Sequence, residues 1–279
     1  TLNYGADIAE AVLENNEFKG LIKTLNGEYN EAKLAGDIYR NPEVLPTGGN
    51  LYQFDPKLIP TRTAFERGKK ICDATLKSFL QEENEYPKST AVILWGLETS
   101  RTQGETVAQV LSYLGVRMAK DSSPWNIKFE IVPINELNRP RIDVTINICG
   151  FFRDMFPNLI ESLNDLFMKI YELDEDDSEN YFKAHSKVIY KKLLEEGYSE
   201  EEAKELAVSR IFGPKEGEYG TGITDIIGTK NWQQEEEIGE SFISSLKHVY
   251  NRHSRGRKVD GLYEDNLKCV DIVSQLRSN

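Results

Sequence analysis

A short apolar run is the feature that most constrains how this chain can fold. Residues 91–95 read Ala-Val-Ile-Leu-Trp with no polar interruption, and such a run favours a strand that is covered on both faces. A polar turn over residues 96–103 follows it, and Thr102 and Glu105 have the spacing of a helix capping box. Apolar residues then recur with helical spacing over 107–114. This order of strand, turn and helix is typical of a βαβ unit.

Further segments extend the pattern to about four strands. Residues 116–119, 127–134 and 142–148 predict the second, third and fourth strands. We therefore predict an α/β fold with a mainly parallel sheet of about four strands, helices on both faces, and a helix-rich C-terminal half. The helices expected in that half lie around 159–170, 180–196, 199–211, 231–249 and 261–276.

The first sixty residues differ in character from the rest. One or two short helices are expected within residues 6–26, and residues 27–60 are loop-like because prolines recur there. Regular helix returns at about 63–82. We predict a loop-rich lead-in with short helices over 1–60, and an α/β region with a helical C-terminal half over 61–279.

Composition excludes several classes of protein. The net charge of −12 opposes binding to nucleic acid or to an anionic membrane surface. No apolar run approaches the ~18 residues that span a bilayer. Cys72, Cys149 and Cys269 form no CxxC pair, which indicates neither a disulfide framework nor a zinc site and fits a cytoplasmic location. Because the first residue is Thr1, we expect a processed or trimmed chain, or one cut from something larger.

Two polar segments follow predicted strands and are the candidates for a ligand site. Ligands of parallel sheets bind beyond the carboxyl ends of the strands, where residues 96–105 and 149–154 are expected to lie. Arg101 and Arg153 could hold ligand carboxylates with their guanidinium forks. Two structural interpretations stay open: Thr102 and Glu105 as a plain helix cap, and Arg153-Asp154 as an ion pair that pins a loop.

Other chemistry-bearing residues give weaker signals. His185, His248 and His253 lie without a second metal ligand at suitable spacing. The glycine-rich segment 213–222 is more typical of a turn than of a ligand loop, and no Walker A or GxGxxG pattern occurs. The residues alone therefore indicate a soluble α/β protein with a polar cleft at the strand ends, without naming a reaction.

Four segments nevertheless resemble one family, in family order and over nearly the whole chain. They resemble the CobN/magnesium chelatase family of large tetrapyrrole-binding subunits, with residues 151–158, Phe212-Gly213 and Tyr219-Gly220 closer to the cobaltochelatase CobN type. The segments are Leu45-Pro46-Thr47-Gly48-Gly49-Asn50, Leu94-Trp95-Gly96 with Arg101-Thr102-Gln103-Gly104-Glu105, Arg139-Pro140-Arg141-Ile142-Asp143-Val144-Thr145 with Gly150-Phe151-Phe152-Arg153-Asp154, and Arg210-Ile211-Phe212-Gly213 with Gly217-Glu218-Tyr219-Gly220.

The resemblance implies a part in ATP-dependent insertion of Co²⁺ or Mg²⁺ into a tetrapyrrole, in cobalamin-type biosynthesis. It implies that AAA+ partner subunits use the ATP-Mg, that Co²⁺ or Mg²⁺ is a substrate, and that this chain binds no cofactor or resident metal. The family's His-Gly-x-x-Glu segment is not found in this sequence, so the chain alone is expected to be inactive. Glu98 and Glu105 are the expected catalytic carboxylates, because metal insertion needs proton acceptors and transient oxygen ligands. The expected substrate-binding residues are Arg101, Thr102, Gly104, Arg153, Asp154 and Tyr219.

Three alternatives stay open at this point. The chain could instead correspond in function to the H-type large component of a magnesium-protoporphyrin chelatase. It could be a non-catalytic docking region for the AAA+ subunits, through its helical half and the basic segment 252–258. It could also be an unrelated α/β enzyme with a ligand at residues 96–105.

Overall fold

The computed structural model of the chain describes residues 2–36, 38, 42–52, 55–123, 127–221, 223–229 and 232–275. The chain divides into two compact units, 1–55 and 56–279, which are considered separately below. That the first sixty residues form a domain of their own stays a prediction.

The first unit is built around close backbone contacts. A Cβ on Gly20 would lie 1.9 Å from the Gly48 carbonyl oxygen, so the helix carrying Gly20 meets the 45–50 segment backbone to backbone. Asn30 Nδ2 donates to that same carbonyl at 3.2 Å. The helices predicted within 6–26 are present, and two very short strands pair in parallel. The elements are α1 (Leu2–Leu13), α2 (Glu17–Leu25), β1 (Lys33–Leu34), a 3₁₀ turn (Pro42–Val44) and β2 (Asn50–Tyr52).

The second unit alternates helices and strands. Its first half, after a 3₁₀ turn (Pro56–Leu58), contains α3 (Arg62–Glu83), β3 (Ser89–Leu94), α4 (Gly96–Thr102), α5 (Glu105–Tyr113), β4 (Val116–Met118), β5 (Phe129–Ile131), α6 (Ile134–Leu137), β6 (Asp143–Ile148) and α7 (Gly150–Met155). Its second half contains α8 (Pro157–Tyr171), α9 (Tyr181–Glu195), α10 (Glu200–Val208), β7 (Ile211–Gly213), α11 (Ile223–Thr229), α12 (Glu235–Leu246), β8 (His248–Tyr250), β9 (Arg255–Lys258), α13 (Leu262–Leu267) and β10 (Ile272–Gln275).

Within the described residues, six strands form the main sheet in the order β10-β3-β6-β7-β8-β9. The first four strands in this order are parallel, and β8 and β9 add antiparallel at one edge. The two central strands pair along their full length, from Ser89 opposite Asp143 to Leu94 opposite Ile148. The predicted α/β class with a mainly parallel sheet is confirmed.

Helices cover both faces of this sheet. On one face, Tyr113 of α5 lies 3.4 Å from the Ser274 hydroxyl of β10, and α3 packs on α5. On the other face, Asn147 of β6 donates to the Tyr263 hydroxyl of α13 at 2.5 Å. Because neighbouring residues of a strand point to opposite faces, these contacts place α5 and α13 on different sides, as the sequence predicts.

Two predicted strands do not join the main sheet. The segments 116–119 and 127–134 shorten to β4 and β5, which pair antiparallel with each other as a separate two-stranded sheet. Alternating hydrophobicity predicts a strand but carries no information on its pairing partner. The β4–β5 pair is instead attached to the segment before β6 by Arg141, whose Nη1 donates to the Gly115 carbonyl oxygen at 3.2 Å.

The C-terminal half is less helical than its sequence indicates. The predicted helix 199–211 ends at Val208, and residues 211–213 form β7. The predicted helices 231–249 and 261–276 likewise end early, because their last residues form β8 and β10. Within the basic segment 252–258, residues Arg255–Lys258 form strand β9. These strands have only three or four residues, which is too short for periodicity to separate them from a helix end.

A buried ion pair joins the sheet to the helices at the amino end of β6. Asp143 and Arg210 are 2% and 0% exposed, and Arg210 Nε donates to Asp143 Oδ1 at 2.8 Å. His185 Nδ1 of α9 lies 2.9 Å from the other carboxylate oxygen. Since a buried guanidinium without a counter-ion is strongly unfavourable, this carboxylate holds α9, β6 and β7 together.

We predict that Asp143→Ala lowers the free energy of unfolding by about 3–5 kcal/mol, because it leaves Arg210 buried without its partner. Urea denaturation would measure the loss. Asp121→Ala is the matched control, since Asp121 pairs with Lys128 at the exposed surface and should change stability little. Equal losses in the two variants would contradict the assignment.

Candidate functional site

The two turns that follow the central strands lie side by side. β3 and β6 are adjacent, parallel and in register at their carboxyl ends. α4 begins at Gly96 and α7 at Gly150, directly after those ends. The Gly96 N–H donates to Cys149 Sγ at 3.4 Å, which links the two turns. The space beside these two turns is the mouth. The sequence correctly predicts that the turns follow the carboxyl ends of the strands, although both polar turns are short helices and not open loops.

Neither of these turns has space for a side chain on its first helical residue. A Cβ on Gly96 would lie 2.3 Å from Phe151 Cδ1 and 2.8 Å from the Phe152 nitrogen. A Cβ on Gly150 would lie 2.5 Å from the Glu218 carbonyl oxygen. Glycine is required at both places because backbone approaches backbone, and the second contact brings the 214–220 loop against α7.

Arg153 fastens that loop to α7. Its side chain is only 9% exposed, and Nε donates to Asp154 Oδ1 at 2.7 Å. Nη1 donates to the carbonyl oxygens of Lys215 and Glu218 at 3.0 and 3.1 Å. The guanidinium also lies 5.3 Å from the centre of the Tyr219 ring. These contacts agree with the alternative interpretation, in which the Arg153-Asp154 ion pair pins a loop. Few N–H groups of the guanidinium are left to donate to a ligand.

Asp154 and Tyr219 complete this cluster through the phenol. Tyr219 Oη donates to Asp154 Oδ2 at 2.6 Å. Hydrogen bonds from Arg153, and then from Tyr219, hold the pKa of Asp154 below its usual range, and the bond to Asp154 raises the pKa of Tyr219. At neutral pH Asp154 is therefore an acceptor and Tyr219 a neutral donor, so the contact persists until acid protonates the carboxylate.

Apolar groups are exposed around the same mouth. Phe151, Tyr219 and Leu97 are 39%, 59% and 65% exposed, and Trp95 is half-buried at the end of β3. Phe151 packs over Gly96, and Tyr219 over Gly150. This arrangement suits a flat apolar ligand. Phe151 and Leu97 are not among the site residues predicted from the sequence; the available signal was an apolar residue in the first turn of each strand-end helix.

Glu98 and Arg101 form an ion pair along α4. Arg101 Nη1 donates to Glu98 Oε1 at 2.8 Å, with side-chain exposures of 40% for the arginine and 18% for the glutamate. Thr102 Oγ1 donates to the Glu98 carbonyl oxygen at 2.7 Å. Glu98 thus lies in the first turn of α4, the helix that begins after β3, and Arg101 is exposed enough to meet a ligand.

The capping box predicted at Thr102 and Glu105 is half present. Thr102 Oγ1 accepts from the Glu105 N–H at 3.3 Å, but the N-cap residue of α5 is Gly104, at φ 96°. The Glu105 carboxylate does not reach back, because Arg67 of α3 pairs with it at 3.0 Å and leaves it 13% exposed. A Cβ on Gly104 would lie 2.6 Å from Ile59 Cγ2, which gives this glycine a packing role.

Apart from Cys149, whose Sγ links the two turns, the remaining histidine and cysteine candidates are not part of this cluster. His185 contacts Asp143, and His253 Nδ1 lies 2.8 Å from Glu205 Oε2. Cys72, Cys149 and Cys269 are free thiols, and burial raises the pKa of Cys72 to about 12. In the part of the chain that the structure describes, no group of three or more His, Cys, Asp or Glu side chains has the arrangement to hold a metal ion. Among the same residues, no helix combines the length and the apolar character needed to cross a bilayer.

Fold and mouth together define an α/β protein whose central parallel strands present glycine-started helices and exposed aromatic rings at one edge. The family model named CobN/Magnesium Chelatase matches residues 2–279. The chain therefore belongs to the CobN/magnesium chelatase family, as the sequence resemblance implies.

Several relatives support this membership. The chain is 34% identical over 265 residues to the CobN component of an aerobic cobaltochelatase of Sinorhizobium sp., covering 94% of this chain and 21% of that protein. It is 33% identical over 278 residues to the H component of the magnesium chelatase of Chlorobaculum parvum, covering 98% and 21%. A solved catalytic subunit of cobaltochelatase from Mycobacterium tuberculosis superposes with a TM-score of 0.79 at 32% identity, covering 93% of this chain and 22% of that one. The chain thus spans about a fifth of the length of these relatives.

We predict that Arg153→Met releases the 214–220 loop. Amide hydrogen exchange of residues 215–219 should become at least about tenfold faster, because the bonds to two carbonyls and to Asp154 are lost. Exchange measured by mass spectrometry would show it. Arg101→Met removes an arginine from the same edge without touching this loop, and should leave the exchange unchanged. A loop equally protected in both variants would refute the role of Arg153.

Proposed function

We propose that this chain contributes part of the tetrapyrrole-binding mouth in the large subunit of an ATP-dependent metal chelatase. The observation that carries the proposal is the juxtaposition of Phe151, Tyr219 and the Trp95–Gly96 turn at the carboxyl edge of β3 and β6. A tetrapyrrole is flat and largely apolar on its faces, so stacking on exposed aromatic rings is the contact expected for it.

Insertion of a metal requires removal of two pyrrole N–H protons. Glu98 and Glu105 remain our candidates for proton acceptance, with Glu98 in the first turn of α4 and Glu105 at the start of α5. Each carboxylate is paired with an arginine, and the pair must open before the carboxylate can take a proton. The candidate substrate-binding residues remain Arg101, Thr102, Gly104, Arg153, Asp154 and Tyr219. Among them Arg101 is the candidate partner for a substrate carboxylate, because it is 40% exposed.

The metal is the substrate that the relatives leave open, since proteins named for cobalt and for magnesium match at similar identity. We favour cobalt, with magnesium as the alternative, because residues 151–158, Phe212-Gly213 and Tyr219-Gly220 resemble the CobN type more closely. The same proposal assigns ATP hydrolysis to separate AAA+ subunits and the reaction to the cytoplasm.

The aromatic surface gives the first test. Phe151→Ala in the full-length protein should weaken binding of a free-base porphyrin about three- to tenfold, because one stacking contact is lost. Quenching of protein fluorescence would measure the affinity. Val188→Ala removes an apolar side chain that is 70% exposed on α9 and serves as the control. Equal affinity of wild type and both variants would remove the mouth from the binding site.

The glutamates give a second, independent test. In the assembled chelatase with ATP, Glu98→Gln should lower kcat about 100-fold while KM for the porphyrin changes little, because the proton acceptor is lost and the shape is kept. Glu105→Gln should do the same if it shares the role. Glu195→Gln, an exposed position at the end of α9, is the control. Wild-type kcat in both site variants would exclude these carboxylates from proton transfer.

A further inference from the structure

A polar cleft of about 480 Å³ adjoins the Arg153–Asp154 pair. The first turn of α8 forms one wall, and the turn between β8 and β9 forms another. Arg153 and Asp154 line this cleft and also contact Tyr219 at the mouth, so the two spaces share the pair. The proposed function does not by itself involve this cleft.

Two arginines of the cleft are available to a ligand. Arg252 and Arg255 are exposed, and among the described residues no carboxylate or carbonyl oxygen accepts a hydrogen bond from either guanidinium. The other basic groups of the same segment are occupied: Arg257 pairs with Glu202 at 2.7 Å, and Lys258 with Asp260 at 2.8 Å. The two exposed guanidinium forks therefore stand out within a chain of net charge −12.

The negative groups of the cleft are also accounted for. Asp154 is held by Arg153 and Tyr219. Glu161 and Glu216 line the cleft as exposed carboxylates, and they set a cost for any anion that enters. An anion bound here must therefore engage the guanidinium forks directly, since the general field of the cleft does not attract it.

We propose that Arg252 and Arg255 bind a peripheral carboxylate of the tetrapyrrole whose face lies on Phe151 and Tyr219. This inference rests on the proposed function and adds a second subsite to it. The shared Arg153–Asp154 pair connects the two subsites, because Tyr219 contacts it from the mouth and the cleft opens onto it. Apolar contacts hold the ring, and the two arginines bind a side-chain carboxylate of the ring.

A matched pair of ligands tests this directly. A porphyrin dicarboxylic acid and its dimethyl ester have the same ring and differ in charge, so the ratio of their dissociation constants isolates the carboxylate contact. In the full-length wild-type protein the acid should bind about three to ten times more tightly than the ester. In the double variant R252Q/R255Q the acid should weaken to the affinity of the ester, while the ester itself is unchanged.

Arg257→Gln is the control, because it removes one positive charge from the same segment at a position already paired with Glu202. It should keep the wild-type ratio, and circular dichroism should show all variants folded, as expected for exposed positions. If R252Q/R255Q keeps the wild-type ratio of the dissociation constants of acid and ester, the subsite is overturned. This holds also if that variant loses binding to AAA+ partner subunits. Equal binding of acid and ester to the wild type overturns it too but leaves the proposed function intact. Failure of both ligands to bind the wild type defeats the proposed function itself.

Discussion

The mouth depends on two backbone contacts that only glycine permits. Gly96 meets Phe151 and the nitrogen of Phe152, while Gly150 meets the carbonyl of Glu218. Because β3 and β6 end in register, these two contacts bring α4, α7 and the 214–220 loop to one point. A methyl group at either glycine would separate backbone segments that cannot move independently of the sheet. The exposed aromatic rings are thus positioned by the parts of the motifs that have no side chain.

Three arginines of the family-like segments perform a common structural task. Arg141, Arg153 and Arg210 are all nearly buried, and each donates to carbonyl oxygens where the chain leaves regular structure. These acceptors are Leu114, Gly115 and Val132 for Arg141, Lys215 and Glu218 for Arg153, and Ala207 and Ser209 for Arg210. A buried carbonyl without a partner is costly, so a forked donor with several N–H groups is an efficient way to hold irregular segments. A motif arginine in this chain therefore marks a pinned turn more often than a ligand.

This distinction explains what could be predicted from the sequence. The apolar runs at 91–95 and 142–148 are long enough to identify the two central strands, and their adjacency agrees with the tendency of successive strands in a sheet to be neighbours. The outer strands β7 to β10 were missed because three or four residues, several of them charged in β9, give no periodic signal. The strands at 116–118 and 129–131 are predicted with the right local structure and the wrong partner, since pairing is decided by contacts far along the chain. The same holds for the candidate site residues. Asp154 and Tyr219 do contact each other, but the spacing of residues in the sequence does not show that the hydrogen-bond donors of Arg153 are used by its own neighbours.

Charge in a site is useful to a ligand only where the protein has not already neutralised it. Arg153 lies closest to the aromatic mouth, yet Asp154 and two carbonyls have taken its hydrogen bonds. Its burial favours that arrangement, because a released guanidinium would stay buried at 9% exposure without its counter-ion and carbonyl acceptors. Arg252 and Arg255 are exposed, so they have incurred no such desolvation cost and keep their capacity for a bidentate contact. Under the proposed function, recognition of an anionic ring by this strongly acidic chain therefore favours exposed arginines at the periphery, and the buried arginine fixes the surface on which the ring would lie.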